Sequence, residues 1–362
     1  MMRIVQLAAA LFLATAPAFS QPPKIKDVAV RLDRSWTHKA SRIGFPPAIA
    51  GFARSAVQDL SGGPQLDMSI AYDDPLSRAH VNIYVYHAAM PTTALWFDVA
   101  ATMIATNEGF GTVTPAGVPA TFALPGHPVA AGLRQSFTIT KIGRSSGVAL
   151  IGVGEWVVKL RLTSPTHDAA QTDALIARIM DGIAWPAKLP PLALAEPLTP
   201  CAAPLQFGPL AEKAPQDGAT LLLAAIRGRV ARDDAEKAAK EKRAPAPPTL
   251  CIHPDRIMGR LPLYQHMGED GGYIIPLGDS GVLIDITRDP VVGLLAKEAG
   301  AGKPTPFGVT VMKHDRWEQY PNYATMPAPM QAVQIVQSET PLSTTSMLGK
   351  GSQITIASDA LK

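Results

Sequence analysis

The segment from His80 to His87 reads His-Val-Asn-Ile-Tyr-Val-Tyr-His. In an extended strand Val81, Ile83 and Val85 point to one side, and Tyr84 and Tyr86 to the other. Both sides are largely apolar. An edge strand or a surface hairpin has one wet face, so this strand is expected at the centre of a sheet covered on both sides. Gln65 to Tyr72 is a second strand, joined to it through the turn residues Asp73-Asp74-Pro75. Two covered faces require at least two further layers of structure, and the surrounding sequence supplies helices for them.

The first helix starts at Thr92 or Thr93, just after Pro91. Leu95, Val99 and Met103 recur at i, i+4, as do Trp96, Ala100 and Ile104, making one broad apolar stripe. Gly- and Pro-rich sequence from Gly109 to Pro128 leads to two more strands, Gln135 to Ile142 and Val148 to Leu162. On the latter, Trp156, Val158, Leu160 and Leu162 share one face, with Lys159 and Arg161 opposite. These two cations read as the wet face of an outer strand, with an anion site as the alternative. A second helix runs from about Ala169 to Ile183, buried through Leu175, Ile176, Ile179, Met180 and Ile183, with Asp168 suited to its N-terminal dipole.

The order strand, strand, helix, strand, strand, helix predicts an α+β domain over residues 25–186, an antiparallel sheet layered with helices. Tyr72 to Tyr86, the helix after Pro91, and Gly154-Glu155-Trp156-Val157-Val158-Lys159 leading to the last helix resemble the Mog1/PsbP-like sandwich. The resemblance covers about residues 28–186 and is carried by element order. It implies an exported bacterial protein from a group whose members are for the most part not enzymes, and no catalytic residue transfers with it.

Proline marks where this domain ends. The chain has 34 prolines in 362 residues, about twice the usual share of ~5%. Eight fall between Pro186 and Pro215 and three between Pro245 and Pro248. Residues 187–216 are therefore expected to be a linker. A charged helix is predicted over 217–243, with Asp233–Lys237 and Glu236–Lys240 as favourable i, i+4 pairs on a solvated face. Residues 250–362 are predicted to form a smaller β-rich domain. Gly272 to Leu277 and Val282 to Thr287 read as a hairpin around Gly278-Asp279-Ser280-Gly281. Asp289 to Ala299 reads as a short helix. Phe307 to Lys313, Ala332 to Gln337 and Gln353 to Ala357 read as strands.

The first 20 residues have the form of a cleavable signal peptide. Arg3 supplies the positive region, Ile4 to Ala16 the apolar stretch, and Ala18-Phe19-Ser20 a small-x-small cleavage site that would leave Gln21 as the mature N-terminus; cleavage after Ala18 is the near alternative. The apolar run is shorter than the ~20 residues that span a bilayer. No cysteine sits near the cleavage site to take a lipid, and no later stretch is long and apolar enough to cross, so no membrane span is expected after cleavage. The expected localisation is the periplasm. The only cysteines, Cys201 and Cys251, are expected to form a disulfide in that oxidising compartment.

Composition and motifs narrow the functional classes. The chain is 47% apolar and 17% charged with a formal net charge of +3, and has no basic run of the kind that binds nucleic acid. Gly278-Asp279-Ser280-Gly281 resembles the nucleophile segment of chymotrypsin-like proteases, in which Ser280 would attack. The following Val282-Leu283 departs from that family, and Cys251-Ile252-His253-Pro254 does not match its general-base segment. A tight turn is the competing explanation. Gly143-Arg144-Ser145-Ser146-Gly147 matches G-x-S-x-G but lies between two strands, where a nucleophile elbow does not sit. Gly300-Ala301-Gly302-Lys303-Pro304-Thr305 lacks the spacing and hydroxyl of a phosphate loop. The eight histidines show no metal-ligand spacing; His266 with Glu269 and Asp270 is the most polar local group and reads as a loop. Trp36, Trp96, Trp156, Trp185 and Trp317 read as core or linker anchors, the first four filling one core. No cofactor and no metal site is expected.

The first functional hypothesis is thus a binding or assembly factor of the cell envelope, with an envelope protein as partner and no catalytic activity. The alternatives are a hydrolase with Ser280 as nucleophile and a periplasmic binder of a small molecule between the two globular parts. Mass spectrometry of the exported chain is expected to place its N-terminus at or near Gln21 and to show a gain of two hydrogens on reduction. An N-terminus at Met1, or no change on reduction, would contradict the export reading.

Overall fold

The computed structural model describes residues 25–215, 248–268, 271–288, 305–348 and 353–357, with a few positions between 229 and 241. It is a sheet-rich α+β fold built on two large antiparallel sheets. The expected signal peptide over 1–20, most of the expected charged helix over 217–243, the expected helix over 289–299 and residues 300–304 lie outside the described residues. Arg229, Asp233, Lys237 and Lys240 are helical, and Arg229 pairs with Asp233 at i, i+4.

The first half of the chain contributes the short strands β1 (Lys26–Asp27), β2 (Trp36–Thr37), β3 (Gly44–Phe45) and β4 (Ala48–Ile49). Longer strands follow: β5 (Phe52–Asp59), β6 (Asp67–Asp74) and β7 (Ala79–His87). After helix α1 (Thr93–Ala105) come β8 (Val113–Pro115), β9 (Ala120–Phe122), β10 (Gly132–Ile139), β11 (Ser145–Val153), β12 (Trp156–Ser164) and helix α2 (Ala169–Gly182). The main sheet has the order β1-β5-β6-β7-β12-β11-β10-β8, with β4 added to β5 and β9 to β10. β7 lies mid-sheet, as its two apolar faces require. Val81, Ile83 and Val85 join a core with Leu175, Ile176 and Ile179 of α2. Tyr84 and Tyr86 face the opposite core, which holds Leu95, Trp96 and Val99 of α1. Asp168 caps α2 in a capping box with Gln171, satisfying N–H groups the helix itself cannot pair.

The expected strand Val148 to Leu162 is two strands. Gly154-Glu155 reverses the chain between β11 and β12, with Gly154 at φ +62°. Apolar residues on both sides of that turn hide the reversal in the sequence. The tryptophans also divide between two cores. Trp36, Trp156 and Trp185 pack on the α2 side, whereas Trp96 and Trp317 share the α1 side.

The second half forms an eight-stranded meander with neighbours in chain order. Its strands are β13 (Leu250–Ile257), β14 (Leu261–His266), β15 (Gly272–Pro276), β16 (Leu283–Arg288), β17 (Phe307–Met312), β18 (Arg316–Tyr323), β19 (Ser343–Ser346) and β20 (Ile354–Ile356). The hairpin around residues 278–281 is present as expected. Ala332 to Gln337 is a correction: it belongs to helix α3 (Pro329–Ser338). Proline in the first turn favours a helix start, and the buried pair Ala332 and Ile335 has the i, i+3 spacing of a helix face. A six-residue apolar window alone does not separate the two periods.

Residues 199–201 run beside β13, with Ile252 N–H donating to Thr199 O and Cys201 N–H to Ile252 O. Cys201 and Cys251 are bonded there as a disulfide. The edge of the second sheet, which would otherwise present unpaired backbone groups, is thereby covered over those residues.

A candidate functional site where the two sheets meet

The two sheets share one core. Tyr86, Trp96, Val99 and Leu150 cluster with Leu250, Tyr264, Ile274, Leu283 and Trp317 of the second sheet. Polar bonds cross the same boundary. Tyr264 Oη donates to Asp98 Oδ2 at 2.7 Å, and His314 Nδ1 donates to the carbonyl of His87 at 2.8 Å.

At the centre of this junction lies Lys159, which the sequence placed on a wet face. Its residue is 2% exposed. The β15–β16 turn covers it: Lys159 Nζ donates to the backbone carbonyl of Asp279 at 2.7 Å and stands 2.8 Å from Asp279 Oδ2. The aromatic rings of Tyr84 and Tyr86 lie beside the ammonium, 4.5 and 5.6 Å from Nζ to ring centroid, where their faces attract a cation. Arg161 Nη1 is 3.7 Å from the same Asp279 oxygen. Periodicity put Lys159 and Arg161 on one face correctly; the partner that covers that face comes from 120 residues away and leaves no local signal.

The Gly278–Gly281 turn is therefore a docking element. Leu277 N–H donates to Val282 O at 2.8 Å, and Gly278 and Gly281 both have φ +96°. A β-carbon on Gly281 would lie 2.8 Å from Tyr86 Cδ2 and 3.2 Å from His87 O, so glycine is needed both for the backbone conformation and for the close approach. Ser280 sits half-buried within this turn; among the described residues no hydrogen bond joins it to a histidine. Ser145 and Ser146 lie buried in β11, with Ser145 Oγ 2.8 Å from His167 O and 2.6 Å from Thr172 Oγ1.

Asp67 completes the buried cluster. It stands opposite Tyr86 across β6–β7 and is 7% exposed. Asp67 Oδ1 and Tyr86 Oη have no hydrogen-bond partner among the described residues. Burial is the largest influence on Asp67 and pushes its pKa up to about 7; Lys159 opposes the rise and Asp279 adds to it. Burial likewise depresses Lys159, against the pull of Asp279. Burial raises Asp279, but the attraction and hydrogen bonding of Lys159 and the charge of Arg161 outweigh it and hold this carboxyl below its ordinary value.

Arg161 also faces outward. It lines an open groove of about 770 Å³ between the end of α1, β12 and the β13–β14 turn. Met103, Met258 and Leu261 give it apolar walls, and Glu108 and Arg260 form a 3.2 Å ion pair at its rim. Elsewhere, His266 Nε2 is 2.8 Å from Asp285 Oδ1 in the second sheet, a pairing the sequence did not suggest; Glu269 and Asp270 lie outside the described residues. Among the described residues no group of three or more His, Cys, Asp or Glu could hold a metal ion, and no helix is long and apolar enough to cross a membrane. No protein-family model, curated protein or solved structure matches the chain.

The raised Asp67 gives a pH dependence of definite sign. Between the ordinary carboxylate range and about 7 the folded chain holds a proton that the unfolded chain has released. The stabilisation from this group is complete at low pH, declines as pH rises through that window, and levels off above it. Asp67→Asn, which cannot ionise, is expected to gain on the wild type by on the order of a few kcal/mol from about pH 4 to about pH 7.5. Denaturant titrations at several pH values would show this; a difference that stays constant would contradict it.

Proposed function

We propose that the chain is an exported protein of the periplasm, a binding or assembly factor of the cell envelope without catalytic activity, and that the groove beside Arg161 is its ligand seat. In this reading residues 1–20 are the export signal, the proline-rich segment 187–216 connects two globular parts, and the ligand lies where those parts meet. The disulfide supports an oxidising compartment. The resemblance of residues 28–186 to the Mog1/PsbP-like sandwich supports a non-enzymatic role.

The observation that carries the ligand seat is the double placement of Arg161. Its side chain is 27% exposed, 3.7 Å from Asp279 on one side and lining the groove on the other. An arginine whose position is fixed by a buried partner loses little freedom on meeting an anion. The apolar walls then favour an anion with a hydrocarbon portion, because specificity in such sites comes from a few placed polar groups within an apolar lining. The competing nucleophile, Ser280, lies on the docking turn at the other side of Asp279 and has no contact that would activate it among the described residues.

Titration calorimetry with dodecanoate and dodecanol tests the assignment. Dodecanoate is expected to bind saturably and more tightly than dodecanol, with Arg161→Gln weakening it about tenfold, or ~1.4 kcal/mol. Arg260→Ser, at the exposed rim, is expected to have a smaller effect in the same direction. Absence of saturable dodecanoate binding to the wild type, or equal affinity in Arg161→Gln, would contradict the proposal.

A further inference from the structure

The buried cluster has the arrangement of a condensation site. A primary amine, a carboxyl and a second carboxyl, one of whose oxygens has no hydrogen-bond partner among the described residues, are enclosed together beside two aromatic rings and a docked turn. Nζ of Lys159 lies 2.8 Å from Oδ2 of Asp279, so the amine and the carboxyl group it would attack are held in contact as an intramolecular pair. Asp67, on the neighbouring strand pair, feels both charges. Its Oδ1 is buried and has no hydrogen-bond partner among the described residues, and such a group calls for an explanation.

We propose that Lys159 and Asp279 become joined by an intramolecular isopeptide bond, with Asp67 as the proton carrier. The step balances without a co-reactant. Proton transfer within the ion pair leaves a free amine and a carboxylic acid. The amine nitrogen attacks Cγ of Asp279 and the new C–N bond forms. Asp67 takes a proton from that nitrogen and delivers one to the departing hydroxyl; the Cγ–O bond breaks and one water leaves. Arg161, 3.7 Å from Oδ2, is placed to stabilise the negative charge that develops on the carboxyl oxygen. Asp67 ends in the state in which it began.

The surroundings favour the product. Two buried charges carry a desolvation cost, which their attraction must offset. A neutral amide in the same place removes both charges. The enclosed site also keeps out the water that would reverse the reaction. Burial favours the free amine at Lys159 and keeps Asp67 protonated up to about 7, the form able to give a proton to the leaving group. Lys159 and Arg161 hold Asp279 below its ordinary value, so the neutral pair is a minor form that the irreversible loss of water draws off.

Intact mass of the reduced, full mature chain tests this. The wild type is expected about 18 Da (one water) below its sequence mass, with the loss absent in Lys159→Arg and Asp279→Ala. Asp67→Asn is expected to fold and to show no loss. Trypsin cannot cut after a modified Lys159, so digestion should yield residues 145–161 joined to residues 261–288 as one branched peptide. A wild-type chain at its full sequence mass would overturn the proposal. So would a water loss confined to a linear 261–288 peptide, which is the signature of a succinimide at Asp279-Ser280. The same bond in Asp67→Asn would overturn the role of Asp67.

Discussion

The fold turns on the contact between Lys159 and Asp279. A lysine in the middle of a sheet face is costly to bury without an opposite charge. Three of its neighbours on that face, Tyr84, Tyr86 and Arg161, cannot provide one. Asp67 of the same sheet interacts with the ammonium but is itself held largely protonated by burial, and the carboxylate in direct contact arrives when the β15–β16 turn docks. Docking in turn depends on Gly281, which alone leaves room for Tyr86 and the carbonyl of His87. The two sheets are therefore coupled: the first carries a buried ammonium whose direct carboxylate contact comes from the second, and the second seats its apolar face on the helix and tyrosines around that charge.

Much of the first sheet was legible because its signals are local. The double-faced pattern of β7, the i, i+4 stripe of α1 and the acidic start of α2 each state their environment within a few residues. The cysteine pair was legible from count and compartment chemistry. What failed was either period ambiguity or long-range pairing. Ala332 to Gln337 offered too few residues to tell helix from strand. Gly154-Glu155 was lost inside a continuous apolar run. Phe52–Asp59, Leu261–His266 and Arg316–Tyr323 are strands without a clean strand pattern, since charged and polar residues interrupt them. The site shows the same division. Lys159 and Arg161 were paired on one face and Asp279 was placed on a turn, but nothing in either segment encodes that they meet.

The junction also gives a physical reason for the groove. Arg161 lies 3.7 Å from Asp279 on its inner side and lines the groove between the end of α1 and the β13–β14 turn on its outer side. The disulfide and the backbone pairing of residues 199–201 hold that stretch along β13. Groove and buried pair thus meet at Arg161, which lines the first and stands 3.7 Å from Asp279 in the second.

A double-mutant cycle on Lys159 and Asp279 tests this account most directly. Each single change, Lys159→Met or Asp279→Leu, is expected to cost on the order of 3–5 kcal/mol, because it strands a buried charge or removes the contact that holds the turn. The double variant, which replaces the pair by apolar side chains, is expected to lose far less than the sum. Losses that simply add would show that the two residues act independently and would contradict a junction built on their contact.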